Sequence, residues 1–286
     1  MLAFEHASRA TKGARSYQED TALLWKRADA GALARAAAPP ANGAAVVVAV
    51  LADGMGGHAG GALASRTACE TFLKAYEGHE GSNRTRLVEA LDAANHAIAD
   101  AVDADPMLAG MGSTLVGVTF GADGIEWVSV GDSPLMLYRR GEIALLNEDH
   151  SLAPELDRLA AAGAISEADA RRDPRRHMLR SAVTGEEIEL IDVSRRPLKV
   201  EPGDYIILAS DGLQTLETAE IERIVAAYAD DGPTAVANAL IRAVEALKDP
   251  HQDNATVVAV RLVSQETARE TTEPVTAPAG AGGDQD

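Results

Sequence analysis

Hydrophobic positions along this chain follow two rhythms. Short runs rich in Val, Ile, Leu and aromatics predict strands at Asp20–Lys26, Ala45–Ala52, Thr114–Phe120, Ile125–Val130, Leu135–Arg139, Glu189–Val193, Tyr205–Ala209 and Thr256–Val263. Longer stretches with apolar residues three and four apart predict helices at Gly60–Tyr76, Arg84–Asp103, Pro154–Ala162, Glu217–Ala229 and Pro233–Leu247. In the second of these, Leu87, Leu91, Ala94 and Ile98 line one face. Gly121-Ala-Asp-Gly124 and Arg140-Gly141 are hairpin signals. Two helical stretches follow the second strand, and three strands in hairpin order come next. This order predicts an α+β fold with antiparallel sheets, and it opposes a doubly wound parallel sheet.

Two segments break the rhythm. Asp29 to Gly43, Ala-rich with Pro39-Pro40, reads as a surface insertion between strands. Ser264 to Asp286 lacks either period and is rich in Glu, Thr, Pro, Ala and Gly, so it reads as a disordered acidic tail after a domain spanning residues 1–263.

Composition narrows the function. The 286 residues carry a formal charge of −18, which argues against a general nucleic-acid binder because nothing offsets phosphate repulsion. The longest unbroken apolar stretch, Ala44–Ala52, is far short of the roughly 20 residues a membrane helix needs, and the N-terminus has no apolar signal core. The single cysteine, Cys69, rules out a disulfide framework and a Cys-based zinc cluster. The expectation is a cytoplasmic, acidic globular protein without a membrane partner.

One local design recurs. A hydrophobic strand ends in an aspartate followed by a tiny residue at Asp53-Gly54, Asp132-Ser133 and Asp211-Gly212, and a fourth acid, Asp253, stands just before the last strand. Each alone reads as a turn, since Asp-Gly is a favoured turn dipeptide. Yet Asp53-Gly54 and Asp211-Gly212 lead into helices rather than hairpins, and acids at the ends of paired strands can meet at one rim of a sandwich. Two unit charges ~4 Å apart repel by ~4 kcal/mol at an effective dielectric of about 20, so such a group takes up protons or cations. With no His or Cys in these motifs the donors are all oxygen, which selects Mg²⁺, Mn²⁺ or Ca²⁺. Gly54 lets a backbone carbonyl approach as a further donor. The chemistry points to a two-metal hydrolase of phosphate esters.

Further upstream, Arg15-Ser-Tyr-Gln18-Glu19-Asp20 places a guanidinium ahead of two acids as a strand begins. Arg can hold phosphate bidentately, while Glu19 and Asp20 can reach metals or their waters. A surface ion-pair cluster is the plainer reading of the same residues.

Taken together, Arg15…Gln18-Glu19-Asp20, Ala52-Asp53-Gly54-Met55-Gly56-Gly57-His58, Gly112-Ser113-Thr114-Leu115, Val130-Gly131-Asp132-Ser133, Ser210-Asp211-Gly212 and Asp253-Asn254-Ala255-Thr256-Val257 resemble the metal-dependent serine/threonine phosphatases of the protein phosphatase 2C (PP2C, or PPM) family, bacterial type. The motifs run in the family's order from Arg15 to Val263. The resemblance implies a four-layer α-β-β-α sandwich with two central antiparallel sheets and a binuclear Mn²⁺ or Mg²⁺ centre between them. It implies that Asp53 bridges both metals, that Asp211 and Asp253 hold the first, and that the Gly54 carbonyl holds the second with Glu19 or Asp20 on its waters. Asp132 and Asp211 match a third metal site of bacterial members. Arg15 matches the phosphate-binding residue. A metal-activated water then attacks phosphorus in line, so no nucleophilic Cys is needed and Cys69 is a small core residue. The implied substrates are phosphorylated proteins, the implied counterpart is a bacterial Ser/Thr kinase, and the expected state is a monomer.

Departures from the family pattern are local. Gln18 stands where Asn is commoner, and Pro134 follows Gly-Asp-Ser where many members carry Arg. His58 sits in the loop that supplies a general acid elsewhere in the family; its plainer reading is a solvated, neutral loop histidine. Residues 149–187 match the family's flap. They hold a basic island, Arg171-Arg172-Asp-Pro-Arg175-Arg176-His177-Met-Leu-Arg180, which reads either as an attractor for anionic phosphoproteins or as a solvated helix end balanced by Glu155, Asp157, Glu167 and Asp169. A flap ligand for the third metal would fall at His177.

Two rivals remain. Gly54-Met-Gly56-Gly57-His58-Ala59 imitates a dinucleotide fingerprint, but two helices follow it before the next strand, so the βαβ unit is absent. A pseudophosphatase that binds phosphoproteins without turnover is the other. The presence of Asp53, Asp211 and Asp253 weighs against it.

Overall fold

Antiparallel pairing organises the chain, and its layering follows from which side of each strand is apolar. The computed structural model describes residues 2–26, 47–56 and 59–264. The strands are β1 (Leu2–Thr11), β2 (Thr21–Lys26), β3 (Val47–Ala52), β4 (Gly54–Met55), β5 (Gly112–Ser113), β6 (Leu115–Gly121), β7 (Gly124–Val130), β8 (Leu135–Arg139), β9 (Glu142–Leu145), β10 (Asp192–Val193), β11 (Tyr205–Ala209) and β12 (Ala255–Ser264). The helices are α1 (Ala59–Gly78), α2 (Asn83–Ala104), α3 (Ala153–Ala161), α4 (Glu167–Arg172), α5 (Thr218–Tyr228) and α6 (Pro233–Leu247). Among the described residues, one five-stranded sheet runs β1-β12-β11-β8-β9, a second runs β10-β7-β6-β3-β2, and β4-β5 is a small ladder.

Strand β3 shows why the layers stack. Every residue of Val47–Ala52 is buried, and alternate side chains leave opposite faces. Val48, Val50 and Ala52 pack with Phe72, Leu87, Leu91 and Ile98 of α1 and α2. Val47, Ala49 and Leu51 pack instead with Leu135, Ile206, Leu208 and Val258 of the other sheet. That sheet's outer face, including Ile207 and Val257, is covered by Ile221, Val225, Leu240 and Val244 of α5 and α6. The order is helices, sheet, sheet, helices, the expected α-β-β-α sandwich. Cys69 lies fully buried in the α1 layer, where burial pushes its thiol well above the ordinary range, so it is an inert core residue.

Several boundaries depart from the sequence expectations. Strand β1 was not expected; it pairs along its whole length with β12, from Leu2↔Ser264 to Thr11↔Ala255. Ser264 therefore belongs to a strand rather than to the segment beyond it. Only Asp192–Val193 of the expected strand Glu189–Val193 is extended and paired. Helix α4, capped by the Ser166 side chain on Asp169 N–H, was also not expected. The hairpin signals hold: Arg140 and Gly141 both take positive φ (53° and 91°) between β8 and β9. The Asp29–Gly43 insertion, His58, and residues 265–286 lie outside the described residues.

Candidate active site

Register places the candidate acids together. Thr21 at the start of β2 pairs with Ala52 at the end of β3, Leu115 at the start of β6 pairs with Val130 at the end of β7, and Ala209 at the end of β11 pairs with Val257 near the start of β12. Residues immediately beyond those ends share one rim of the sandwich: Glu19, Asp20, Asp53, Asp132, Asp211 and Asp253.

That proximity has an electrostatic consequence. Burial raises the Asp53 carboxyl well above the ordinary range, and the charges of Asp20, Asp211, Asp132 and Asp253 push it further. Burial raises Asp211 too, with Asp253 adding repulsion; a hydrogen bond with Asp53 and the nearby His177 and Arg15 pull the other way. Asp20 is pushed up to about 6, mainly by burial, although hydroxyls of Thr256 and Ser210 favour its ionised form. Burial, then Asp211 and Asp149, lift Asp132 to about 7.

The scaffold beneath these acids is made of hydroxyls and amides. Asp53 N–H donates to Thr114 Oγ1 at 3.0 Å, Thr114 Oγ1 lies 2.8 Å from Ser133 Oγ, and Ser113 Oγ donates to the Asp53 carbonyl at 2.8 Å. Ser210 Oγ donates to Asp20 Oδ2 at 2.8 Å and accepts from Thr256 N–H at 2.9 Å. Asn254 is a fork: its Oδ1 accepts from Glu19 N–H at 2.7 Å, and its Nδ2 donates to the carbonyls of Lys12 and Tyr17 at 3.0 and 2.9 Å. One buried amide thus ties the Arg15-bearing loop to the strand that carries Asp253. This role was not read from the sequence; the signal was an Asn directly after a candidate ligand and before a buried strand.

The glycines allow close backbone approach rather than nucleotide binding. A Cβ on Gly54 would sit 2.1 Å from the Gly61 carbonyl oxygen, and one on Gly61 would sit 2.5 Å from Glu19 Oε1. At Gly212 a Cβ would stand 1.9 Å from the Asn254 carbonyl oxygen, which is backbone and cannot swing aside. Gly212→Ala is therefore expected to cost roughly 3 kcal/mol or to prevent folding. An unchanged urea midpoint would show that this rim has slack.

A divalent cation suits this donor set. Buried oxygens with no hydrogen-bond partner include Glu19 Oε1, Asp20 Oδ1, Asp211 Oδ1, Gln18 Oε1 and Gln252 Oε1, all within or beside these motifs. Orphaned, mutually repelling oxygens are what a hard cation and its waters satisfy. Among the described residues no three His, Cys, Asp or Glu side chains stand arranged to hold an ion by themselves. A cation here would complete its shell with backbone carbonyl and water oxygens, as Mg²⁺ and Mn²⁺ ordinarily do.

Arg15 is exposed at the mouth, where its Nη2 lies 2.6 Å from Asp253 Oδ2. Residues 149–187, the expected flap, are anchored through a residue without a local sequence signal. Buried His150 accepts the Gly131 N–H at Nδ1 (3.3 Å), its own N–H donates to the Gly131 carbonyl, and its carbonyl accepts from Arg180 N–H. Burial lowers the His150 pKa, so the neutral ring can serve as that acceptor. Most of the basic island is neutralised locally: Arg171 pairs with Glu167, Arg175 with Asp173, Arg176 with Asp157, and Arg180 approaches Glu155 at 4.0 Å, while Arg172 has no ion pair among the described residues. This favours the balanced-helix reading over a free basic attractor.

An α-β-β-α sandwich with a cluster of buried and half-buried acids on one rim defines a class of candidate metal-dependent hydrolases. The chain belongs to the protein phosphatase 2C family, whose description matches residues 35–268. It is 33% identical over 235 residues to the serine/threonine protein phosphatase PstP of Mycobacterium tuberculosis, covering 82% of this chain and 43% of that protein. It thus spans less than half of that relative's length. The serine/threonine phosphatase stp of Listeria innocua is 32% identical over 184 residues, 62% of this chain and 71% of its own. In structure, the chain matches the crystal structure of M. tuberculosis PstP/Ppp with a TM-score of 0.69 and 29% identity, covering 91% of this chain and 99% of that one. It matches the PstP catalytic domain in complex with two manganese ions with a TM-score of 0.68 and 28% identity, covering 92% and 100%.

Proposed function

We propose that this chain hydrolyses phosphoserine and phosphothreonine esters of proteins at a binuclear Mn²⁺ or Mg²⁺ centre on the rim, opposing a protein kinase. The observation that carries this reading is the set of buried and half-buried carboxylates, Asp20, Asp132, Asp53 and Asp211, held together against repulsion with oxygens on Asp20 and Asp211 lacking donors. Its phosphatase identity is supported by relatives named for that activity and by the manganese in one of them.

Asp53 would bridge two cations, with Asp211 and Asp253 on one, the Gly54 carbonyl on the other, and Glu19 and Asp20 on water; Asp132 with Asp211 would hold a third. When bound, these cations supply the Lewis acidity that turns water into a nucleophile near pH 7 and neutralise charge on the phosphoryl oxygens. The Asp53 backbone is pinned on both sides, its N–H by Thr114 and its carbonyl by Ser113, which fixes the point from which its carboxylate reaches the rim. Arg15 orients the phosphoryl group through its planar fork once it leaves Asp253. Protonation of the departing serine or threonine oxygen is assigned to His58 on the family resemblance.

The test is hydrolysis of an aryl phosphate and a phosphothreonine peptide with Mn²⁺, Mg²⁺ or chelator. Turnover is expected only with metal. Arg15→Gln should raise KM by roughly tenfold or more, the weight of a charge-assisted hydrogen bond. A folded chain that binds phosphopeptide but turns over neither substrate with any metal would replace this reading by the non-catalytic one.

A further inference from the structure

A cavity of about 550 Å³ lies along the β10 edge of the second sheet, away from the acidic rim. Arg84 from the first turn of α2 and Arg195 and Arg196 after β10 line it, beside Trp127, Ile191 and Pro197. We propose that this groove binds an acidic segment of the phosphoprotein whose phosphorylated side chain occupies the rim. The proposal rests on the phosphatase reading and adds to it a determinant of substrate choice.

Three observations carry it. The first is charge. In a chain of net −18, three guanidinium groups converge on one groove, and the ion pairs among the described residues use other arginines. Arg84 spends one N–H on the Ser194 carbonyl, while Arg195 and Arg196 are exposed. The second is that one of the groove's two acids is turned to structural use. Asp192 Oδ2 accepts from Trp127 Nε1 at 2.9 Å and from Glu148 N–H at 3.3 Å, which leaves Glu148 as the free acid at the flap end. In residues 149–187, by contrast, Arg171, Arg175 and Arg176 are each paired with a carboxylate and Arg180 approaches one.

The third observation is register. Asp192 is opposite Ser129, Val193 opposite Val128, and Leu198 bridges Ile125. At about 3.3 Å per strand residue, Trp127 to Ile125 lies roughly 17–23 Å from Asp132 along β7. Arg195 and Arg196 fall at that level, between Ser194, bonded to Trp127, and Leu198. An extended peptide leaving the rim along this edge reaches the arginines after about five to seven residues. The partner is therefore a phosphopeptide with Asp or Glu about five to seven positions from the phosphorylated residue, on one side.

The experiment compares three phosphothreonine peptides of one core sequence on the full chain. One carries acids five to seven residues before the phosphothreonine, one carries them after it, and one carries amides at both places. One acidic peptide is expected to show a KM roughly fivefold to tenfold below the amide peptide with kcat unchanged. Arg195→Ser/Arg196→Ser should erase the difference and leave aryl phosphate turnover untouched. Equal KM values on the native chain, with aryl phosphate turnover intact, overturn the groove. A preference that emerges only after Glu266, Glu270, Glu273, Asp284 and Asp286 are changed to amides assigns the groove to the chain's own acids and also overturns the proposal. If aryl phosphate is not hydrolysed at all, the phosphatase reading fails by itself. The groove is then judged by tryptophan fluorescence with the unphosphorylated acidic peptides: saturable binding lost in the double variant supports it, and its absence overturns it.

Discussion

Asp211→Asn is expected to lower metal-dependent turnover by about 10³-fold, equivalent to ~4 kcal/mol of transition-state stabilisation, while the far-UV circular dichroism stays that of the parent. The asymmetry follows from the site. Asp211 Oδ1 has no hydrogen-bond donor, so the packing does not depend on its charge, whereas a hard cation does. The same substitution removes one acid from a buried cluster whose members raise one another's pKa. The chelated variant should therefore melt above the chelated parent. Full turnover in the variant would remove Asp211 from the ligand set.

The second large effect is a metal contribution to stability whose pH dependence opposes that of the metal-free chain. Asp20 and Asp132 carry folded-state values of about 6 and about 7, against about 3.9 in an unfolded chain. A carboxyl whose folded pKa is raised binds its proton more tightly in the native state, so stability falls as pH climbs from the unfolded value through the folded one. In chelator, the unfolding free energy should fall from pH 4.5 to pH 7.5 by the order of a few kcal/mol for two such groups, and the melting temperature should fall with it. With Mn²⁺ the carboxylates are wanted ionised, so the stabilisation that metal adds should grow over that range, reaching about 2.7 kcal/mol where the ion stands at 100 times its dissociation constant. Parallel pH profiles with and without metal would show that these acids do not hold the cation.

How much of this was legible beforehand depended on whether a residue's job was local. Strands β8 and β11 appear where the apolar runs put them, because every residue or nearly every one is buried. Strand β1 carries little local signal because Leu-Ala-Phe-Glu-His-Ala-Ser-Arg-Ala-Thr has few large apolar residues; its partner β12, 244 or more positions away, makes it a strand. Strand β9 is mostly exposed, and only its turn announced it. The acids could be singled out because each adjoins an apolar run: Asp53, Asp132 and Asp211 follow one, and Asp20 and Asp253 precede one. The groups that hold their surroundings could not, since Asn254 acts on Lys12, Tyr17 and Glu19, and His150 acts on Gly131, across distances that no local pattern encodes.

The pairing of β1 with β12 and the Asn254 fork bear on how the molecule is made. The loop that carries Arg15 leaves the ribosome first, but the strand and amide that hold it come near the end of the described chain. Contacts of such long sequence separation fold slowly, because most of the chain must be ordered before they form. During synthesis, a nascent chain ending before Asp253 would display an unpaired edge at β11 and a rim short of one acid. The sandwich and its chemistry therefore arrive together, in the last step of assembly, and a partly made chain has more to gain from a chaperone at that edge than from any metal.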